Sequence, residues 1–164
     1  MDLYAENIID HYRNPRGKFP LHTGCGLGGG LTPLSCHSGR GDGGEGHFHH
    51  TESNPACGDE ITIGLTIRNG CLHDIYWDGT GCAISQAAMS MLSEELFGKS
   101  LEDVAALTKE NVLTLLGVPI GPRRLKCALL GLHTLKNAIQ KAQGKMMRGW
   151  TENVLQNGAP YWSR

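Results

Sequence analysis

The sequence predicts an α+β fold in which a hairpin of strands precedes a series of helices. Apolar and polar residues alternate between positions 59 and 68, an Asn-Gly pair follows, and beyond position 83 apolar residues recur at helical spacing. A block of strands followed by a block of helices is typical of α+β domains. With 164 residues, the chain is long enough to form one hydrophobic core without disulfides.

The first predicted element is a short amphipathic helix over Leu3–Arg13. Its apolar residues, among them Ile8 and Tyr12, recur at helical spacing. Pro15 and Gly17 follow at once, and neither residue continues a helix without cost. The helix is therefore expected to end before the proline.

Residues 21–53 differ sharply from the rest of the chain and are predicted to form an insert in the domain. Glycine is frequent there, and few apolar residues are available for burial. The insert also carries side chains that bind metals: Cys25, Cys36, His37, His47, His49 and His50. Two interpretations stay open. The segment is a disordered linker, which the entropy cost of ordering glycine-rich chain favours, or it is a second metal site or metal-collecting arm.

Two strands are predicted next, over residues 59–68 and 71–78, joined at the Asn69-Gly70 pair. The length of the loop between them decides which residues face each other. A two-residue loop would pair the apolar face of the first strand with two aspartates and a tyrosine of the second. We therefore predict a three-residue loop, with Ile61, Ile63, Leu65 and Ile67 opposite Trp77, Ile75, His73 and Cys71.

The remainder of the domain is predicted to be helical. Each helix has an apolar periodicity and a starting or ending signal. The predicted helices cover about 84–97 before Gly98, 101–107 after Ser100, a turn or two ending at Gly117, and a longest helix that starts at Pro122. The periodicity fades beyond Gln143. We therefore assign residues 1–142 to a single domain and residues 143–164 to a C-terminal tail.

Composition and charge exclude several classes of protein. The 15 Lys+Arg and 16 Asp+Glu residues give a net charge of -1, which favours neither nucleic acid nor an anionic membrane as a partner. The acidic N-terminus is unlike a signal peptide, and no apolar run approaches the ~20 residues that span a bilayer. We therefore expect a cytoplasmic protein. In a reducing cytosol the six cysteines are expected to be ligands, nucleophiles or core thiols rather than disulfides.

Three cysteines lie in local segments whose thiols the fold could direct to one shared point. Cys57 lies in a turn rich in proline and glycine, Cys82 directly precedes a helix, and Cys127 lies near the start of the longest helix. Either hairpin register places Cys57 beside Cys82. Asp59 follows Cys57 by two residues and points to the same side of an extended chain. In helical projection Cys127 lies far from the apolar stripe, so it is not expected to fill the core.

Three thiolates and one carboxylate suit tetrahedral zinc or iron. A carboxylate oxygen is a harder and weaker partner for these metals than sulfur is, so the mixed set predicts a labile site. The paired C-x-x-C ligands of structural zinc modules are absent, which favours a site built for exchange. Arg123, Arg124 and Lys126 are expected to add positive charge beside Cys127.

Four short motifs follow one another along the chain. They are Ile9-Asp10-His11-Tyr12-x-Asn14-Pro15-Arg16, Asn54-Pro55-x-Cys57-Gly58-Asp59, Gly81-Cys82-Ala83-Ile84-Ser85 and Lys126-Cys127-Ala128. In order and spacing they resemble the iron-sulfur cluster assembly scaffold family, of the IscU, NifU N-terminal and SufU type. The resemblance covers about residues 3–20 and 54–142.

The resemblance implies a small antiparallel sheet packed on a layer of helices, and a transient [2Fe-2S] cluster, or Zn²⁺ or Fe²⁺ in the same site. It also implies that a cysteine desulfurase supplies sulfur and that iron-sulfur acceptor or carrier proteins receive the cluster. Cys127 and Cys57 are the candidate sulfur acceptors, with Lys126 and Arg124 as electrostatic support. The implied ligands are Cys57, Asp59, Cys82 and Cys127.

The segment before Cys127 leaves the branch of the family open. The IscU type has a Leu-Pro-Pro segment and a histidine before this cysteine, whereas this chain has Lys126 in place of the histidine. Pro122-x-Arg124-x-Lys126-Cys127 is similar to the SufU type, whose members bind zinc and act mainly as sulfur acceptors, but the insertion that precedes it there is absent. The missing Leu-Pro-Pro segment argues against the family's Hsp70-type chaperone as a partner.

Two hypotheses for the function follow from the resemblance. In the first, the chain is a scaffold and not an enzyme. In the second, which Lys126 and Arg124 favour, it is a zinc-dependent sulfurtransferase that relays persulfide sulfur.

Overall fold

A computed structural model describes residues 3–19 and 46–155 of the chain. Cys25, Cys36, His37 and the tail beyond residue 155 lie outside the described residues. Among the described residues, no helix is long and apolar enough to cross a membrane. The elements in chain order are α1 (Leu3–Arg13), β1 (Gly46–Asn54), β2 (Asp59–Arg68), β3 (Cys71–Thr80), α2 (Ala83–Leu96), α3 (Leu101–Ala105), α4 (Lys109–Leu116), α5 (Pro122–Ala142) and a π-helical turn (Thr151–Leu155).

The strands form an antiparallel sheet in the order β1-β2-β3, and helices cover one of its faces. Helix α5 packs on β1 and β2, and α2 packs on β3. The apolar side chains of β2 and β3, among them Ile63, Leu65 and Trp77, are completely buried beneath these helices. The predicted α+β fold, with a small antiparallel sheet packed on helices, is confirmed. The predicted helix over Leu3–Arg13 is also confirmed.

The hairpin between β2 and β3 has a different register from the one predicted. Asn69 and Gly70 both have positive φ, 52° and 70°, so they form a tight two-residue turn in which Arg68 pairs with Cys71. A β-bulge between Thr66 and Ile67 then shifts the pairing by one residue. The predicted three-residue loop is wrong.

The bulge serves the purpose for which the longer loop was predicted. It leaves His73 without a partner in the ladder, and beyond it Leu65 lies opposite Ile75, and Ile63 opposite Trp77. The apolar residues of both strands therefore share the buried face, because an extra residue restores the alternation that the short turn would have inverted.

The last part of the predicted insert is a strand. Residues 46–53 belong to β1, which pairs with β2 from Gly46 opposite Ile67 to Asn54 opposite Asp59. The segment was predicted to be irregular because Phe48 is its only large apolar residue. Backbone pairing with β2 and polar contacts with α5 order it instead, including a hydrogen bond from Asn137 to Glu52. His47, His49 and His50 therefore belong to the sheet, and residues 21–45 lie outside the described part of the chain.

The segment after α1 extends the sheet by one short parallel pairing. Lys18 forms a bridge with Trp77. The Phe19 amide donates to the Trp77 carbonyl, and the Trp77 amide donates to the Gly17 carbonyl. Residues 17–19 are thereby fixed on the free edge of β3.

The first part of the predicted tail packs on α5. The Trp150 ring stacks on His133 with the ring centroids 4.3 Å apart. The Asn153 amide donates to Nδ1 of His133 at 3.2 Å and to Oδ1 of Asn137 at 2.7 Å, and it accepts from Gln140 at 3.1 Å. Residues 148–153 are therefore joined to the helix that carries Cys127.

Replacing His133 is expected to reduce the acid sensitivity of the fold. Burial lowers the pKa of His133, while the Glu52 carboxylate opposes this shift and His50 adds to it. The unfolded chain takes up a proton on this histidine as the pH falls below about 6.5, whereas the folded protein takes it up only at a lower pH. The free energy of unfolding should therefore fall as the pH falls below that value. Urea unfolding of the parent and of His133→Gln at pH 7.5 and 5.5 should give a smaller loss in the variant, and equal losses would contradict this account.

Candidate metal and sulfur site

The four predicted ligands and Arg124 line one open pocket at the end of the sheet. Cys57 and Gly58 lie in the turn between β1 and β2, and Asp59 is the first residue of β2. Thr80 ends β3, and Gly81 and Cys82 follow it before α2 begins. The first two turns of α5 complete the lining with Arg123, Arg124 and Cys127. Antiparallel pairing places the β1-β2 turn and the end of β3 at the same edge of the sheet. Segments distant in sequence therefore meet at one point.

Three of the four predicted ligands form a compact cluster. One ligand atom each from Cys57, Asp59 and Cys127 lies within 4.8 Å of the other two. The two sulfur atoms are 3.2 Å apart. Cys57 is exposed, whereas Cys127 is buried even though helical projection placed it away from the apolar stripe. Within this group of three residues, Cys127 and Asp59 are shielded from solvent, whereas Cys57 is open to it.

Cys82 lines the same pocket without belonging to this cluster. It precedes the first residue of α2, with extended backbone angles of φ -70° and ψ 165°. Its side chain does not cap the helix. The thiol therefore stands at a helix N-terminus, where backbone N–H groups favour negative charge.

Asn54 contacts the site residues, and the sequence motifs did not single it out as a candidate. Its side-chain amide donates to Sγ of Cys57 at 2.9 Å and lies 3.8 Å from Sγ of Cys127. Its Oδ1 accepts from the Ala56 amide at 3.2 Å, which orients the side chain. Asn54 begins the motif that contains Cys57 and Asp59, but asparagine before proline is a common turn residue. Only the fold shows that it contacts both thiols.

Asp59 is buried, and its two oxygen atoms have different surroundings. Oδ1 accepts a hydrogen bond from the Cys82 amide at 3.2 Å. Oδ2 is buried and has no hydrogen-bond partner among the described residues. A buried carboxylate oxygen without a partner costs free energy, and a cation bound beside it removes that cost. Together with two thiols in reach, this oxygen fits the donor set of a zinc or iron site.

The surroundings of the Cys127 thiol disfavour its thiolate form and so raise its pKa. Burial raises its pKa well above the ordinary value, and the neighbouring Cys57 and Asp59 raise it further. Arg123 and Arg124 stand at the mouth of the pocket and do not reverse this effect. A thiol of this kind becomes a thiolate when a cation replaces its proton.

Lys126 lies apart from the pocket for which it was predicted to supply charge. Its ammonium group lies over the ring of Trp150, 5.9 Å from the centroid, and it is not among the pocket-lining residues. Arg124, the other predicted electrostatic residue, does line the pocket. The positive charge at the mouth of the pocket therefore comes from the two arginines.

Gly81 leaves room for the buried carboxylate. A Cβ atom at this position would lie 2.5 Å from Oγ of Ser85 and 3.0 Å from both Cγ and Oδ1 of Asp59. The first distance is shorter than any real contact, so a larger residue would displace one of these side chains. The backbone that follows β3 therefore approaches Asp59 closely only because residue 81 is glycine.

The sequence and the fold are similar to those of known proteins. The family described as "NifU-like N terminal domain" matches residues 37–148. The chain is 26% identical over 159 residues to a zinc-dependent sulfurtransferase, SufU, of Bacillus subtilis (strain 168), with 87% of this chain and 92% of that protein covered. It is 34% identical over 104 residues to the iron-sulfur cluster assembly scaffold protein IscU of Thermotoga maritima, with 54% and 73% covered.

A solved structure has a similar fold. The N-terminal part of a nitrogen-fixing NifU-like protein from Brucella abortus matches with a TM-score of 0.57 and 18% identity, covering 87% of this chain and 96% of that one. At this level of identity the similarity concerns the fold.

Gly81→Ala is expected to weaken metal binding more than it weakens the fold. The added methyl group overlaps Oγ of Ser85 and crowds the carboxylate of Asp59, and disturbing the surroundings of a metal ligand typically costs about 10- to 100-fold in affinity. Titration of the metal-free protein with Zn²⁺ against a chelating indicator measures the change. Gly149→Ala is the control, because a Cβ there meets nothing within 4 Å. Equal affinities in both variants would contradict the role of Gly81.

Proposed function

Because the chain belongs to the family described as the NifU-like N-terminal domain, we propose that it is an iron-sulfur cluster assembly scaffold. It accepts sulfur from a cysteine desulfurase, assembles a transient [2Fe-2S] cluster, and passes the cluster to acceptor or carrier proteins. The cluster is the cargo of this protein. Its proposed ligands are Cys57, Asp59, Cys82 and Cys127.

The observation that carries the proposal is the set of donor atoms at the inner side of the pocket. Cys57, Asp59 and Cys127 each direct a ligand atom to one point, within 4.8 Å of one another. The Oδ2 atom of Asp59 is buried there without a partner among the described residues. Soft sulfur selects iron and zinc, and the unpaired oxygen supplies the weaker ligand that lets a cargo leave.

Cys57 is the proposed first sulfur acceptor because its thiol is exposed, whereas that of Cys127 is buried. Its thiolate attacks the outer sulfur of the desulfurase persulfide. A new S–S bond forms on Cys57, the desulfurase S–S bond breaks, and the desulfurase thiolate leaves. Sγ of Cys127 lies 3.2 Å from Sγ of Cys57, so sulfur held on Cys57 is within reach of the buried thiol.

Arg123 and Arg124 have an electrostatic role in this proposal. Both line the mouth of the pocket and both are exposed. Three thiolates and one carboxylate would leave an uncompensated negative charge, and guanidinium groups at the mouth offset part of it. They also attract the anionic persulfide of a partner.

A second function is a zinc-dependent sulfurtransferase. Two observations favour it: 92% of the Bacillus subtilis SufU sequence is covered by the match, and Arg124 of the Pro122-x-Arg124-x-Lys126-Cys127 motif lines the pocket. Zn²⁺ bound by the same residues would keep the thiols deprotonated. The exposed Cys57 is then the residue that receives and returns sulfur.

Reconstitution tests the two functions against each other. Metal-free protein is incubated anaerobically with Fe²⁺, a cysteine desulfurase and an excess of cysteine, whose thiol also supplies the electrons that reduce persulfide sulfur to sulfide, while visible absorption, iron, zinc and sulfide are followed. A scaffold gives a cluster spectrum with equal iron and sulfide. The yield of cluster should fall at least about tenfold in each of three variants, Cys57→Ser, Cys82→Ser and Cys127→Ser. Loss of a residue that merely orients a metal ligand already lowers metal affinity or activity by about tenfold, and these variants remove a ligand itself. Cys71→Ser is the control, because Cys71 lies at the opposite end of the β2-β3 hairpin.

A failure to form a cluster would favour the zinc-dependent sulfurtransferase, provided that zinc binding and desulfurase turnover support it. A parallel sample of the metal-free protein is loaded with Zn²⁺ before the desulfurase and cysteine are added. No cluster in the iron sample, together with bound zinc and faster turnover of the desulfurase in the zinc sample, would identify a sulfurtransferase and contradict the scaffold. No cluster in the iron sample and no effect of the zinc-loaded protein on the desulfurase would contradict both functions.

Asp59→Ala is expected to lengthen the lifetime of an assembled cluster. The carboxylate is the hardest and weakest of the proposed ligands, so its removal takes away the position from which the cargo is released. The decay of the visible absorption in the presence of a chelator measures the lifetime. Asp74→Ala is the control, because Asp74 is an exposed carboxylate paired with His73 far from the pocket. A shorter lifetime in Asp59→Ala would argue against this role.

A further inference from the structure

The peptide group between Gly81 and Cys82 is held from both sides. Its carbonyl oxygen accepts a hydrogen bond from Nε2 of Gln86 at 2.9 Å. Its N–H group donates to Oδ1 of Asp59 at 3.2 Å. The two bonds leave opposite edges of one planar unit, so together they set its rotation. This peptide directly precedes the Cα atom of Cys82 and directly contacts the carboxylate of Asp59.

Gln86 reaches this peptide from inside helix α2. It is the fourth residue of α2, and its side chain extends back past the start of the helix to Gly81. Its backbone amide closes the first turn on the Cys82 carbonyl at 3.2 Å. The Ser85 hydroxyl donates to the same carbonyl at 3.0 Å. The side chain of Gln86 is therefore the contact that joins the helix to the residue before Cys82.

Lys18 decides which way the amide of Gln86 points. Its ammonium group donates to Oε1 of Gln86 at 2.7 Å. An ammonium group only donates and a carbonyl oxygen only accepts, so Oε1 must face Lys18 and Nε2 must face Gly81. The reverse orientation would place two donors against each other and two acceptors against each other. The amide therefore has a single favourable orientation.

Lys18 is itself held in place by β3. The residues on either side of it pair with the Trp77 backbone, and its ammonium group lies 5.1 Å from the centroid of the Trp77 ring. A cation over an indole ring is stabilised by the charge distribution of the ring. A line of contacts thus runs from the edge of β3 through Lys18 and Gln86 to the Gly81-Cys82 peptide.

The peptide in turn determines how Asp59 presents its oxygens. Because Oδ1 is occupied by the Cys82 N–H group, Oδ2 is the oxygen left without a partner among the described residues, in a carboxylate that has an oxygen within 4.8 Å of both thiol sulfurs. A rotated peptide would withdraw the N–H group and free the carboxylate to turn. One contact at Gly81 therefore affects two proposed ligands, Cys82 through its backbone and Asp59 through its hydrogen bond.

We propose that Gln86 is a positioning residue of the metal and sulfur site, and that Lys18 sets the orientation of its amide. The inference rests on the proposed function, because it describes how the ligands of that same site are oriented. Gln86 acts through the Gly81-Cys82 peptide and does not touch the cargo.

Four variants separate this role from a general effect on stability. Gln86→Met keeps the length and helix propensity of the side chain and removes both hydrogen bonds. Lys18→Met removes the group that orients the amide, whereas Lys18→Arg keeps a donor there. Gln140→Met is the matched control, because Gln140 is a glutamine of α5 whose amide bonds to Asn153 away from the pocket.

Hydrogen exchange in the metal-free full chain is the first measurement. The Cys82 amide should exchange about five- to tenfold faster in Gln86→Met and in Lys18→Met, which is the factor that an ordinary hydrogen bond supports. The buried interior of α2, residues 87–92, should keep its exchange rates, and Lys18→Arg and Gln140→Met should leave Cys82 unchanged. An unchanged Cys82 rate in Gln86→Met, or an equal acceleration throughout α2, would overturn the proposal.

Metal binding is the second measurement. The affinity of the metal-free protein for Zn²⁺ should fall about tenfold in Gln86→Met, as expected for loss of a residue that orients ligands, and it should be unchanged in Gln140→Met. An unchanged affinity in Gln86→Met would overturn the positioning role. Neither measurement uses cluster assembly. If the parent protein forms no cluster while both effects are present, the proposed function fails and the positioning role stands.

Discussion

The buried carboxylate of Asp59 is the constraint on which the pocket depends. Its Oδ1 atom joins the first residue of β2 to the residue before α2 through the Cys82 amide. Its Oδ2 atom is left unpaired among the described residues, and one oxygen of the carboxylate lies within 4.8 Å of the sulfur atoms of Cys57 and Cys127. Burying such a group is unfavourable unless the fold or a bound cation compensates it. The close approach at Gly81 and the contacts of Gln86 and Ser85 all serve to keep this carboxylate and its partner peptide together.

The thiols of Cys57 and Cys127 differ in their exposure to solvent. Cys57 is exposed on a turn. Cys127 is buried near the start of a long helix, and burial raises the pKa of its thiol. Asn54 bonds to the first thiol and lies near the second, so they stay 3.2 Å apart. One side of the site is therefore accessible to a partner protein, while the other is shielded from water. A site enclosed on all sides would hold a metal more firmly and would exchange sulfur less readily.

Much of the site could be predicted from the sequence because local motifs carry it. Cys57 and Asp59 share one turn, and Cys127 follows a proline that starts a helix, so their settings are visible without a structure. Asn54 and Gln86 were missed because each also contacts a residue distant in sequence: Asn54 lies near the Cys127 thiol, and Gln86 accepts from Lys18. Lys126 was assigned to the pocket because it neighbours Cys127, but adjacent helical residues point about 100° apart. Trp150, which lies beneath its ammonium group, is distant in sequence.

The sequence by itself determined the fold class, the first helix and the residues that meet at the pocket, because periodicity, turn residues and motif spacing are local properties. The tertiary structure decided the rest. The register of β2 and β3 depended on a bulge that keeps Leu65 opposite Ile75, and a turn signal alone does not reveal where an extra residue is absorbed. Strand β1 formed in a polar segment because β2 offered unpaired backbone groups and α5 offered polar side chains. Such contacts exist only when distant segments have already been brought together.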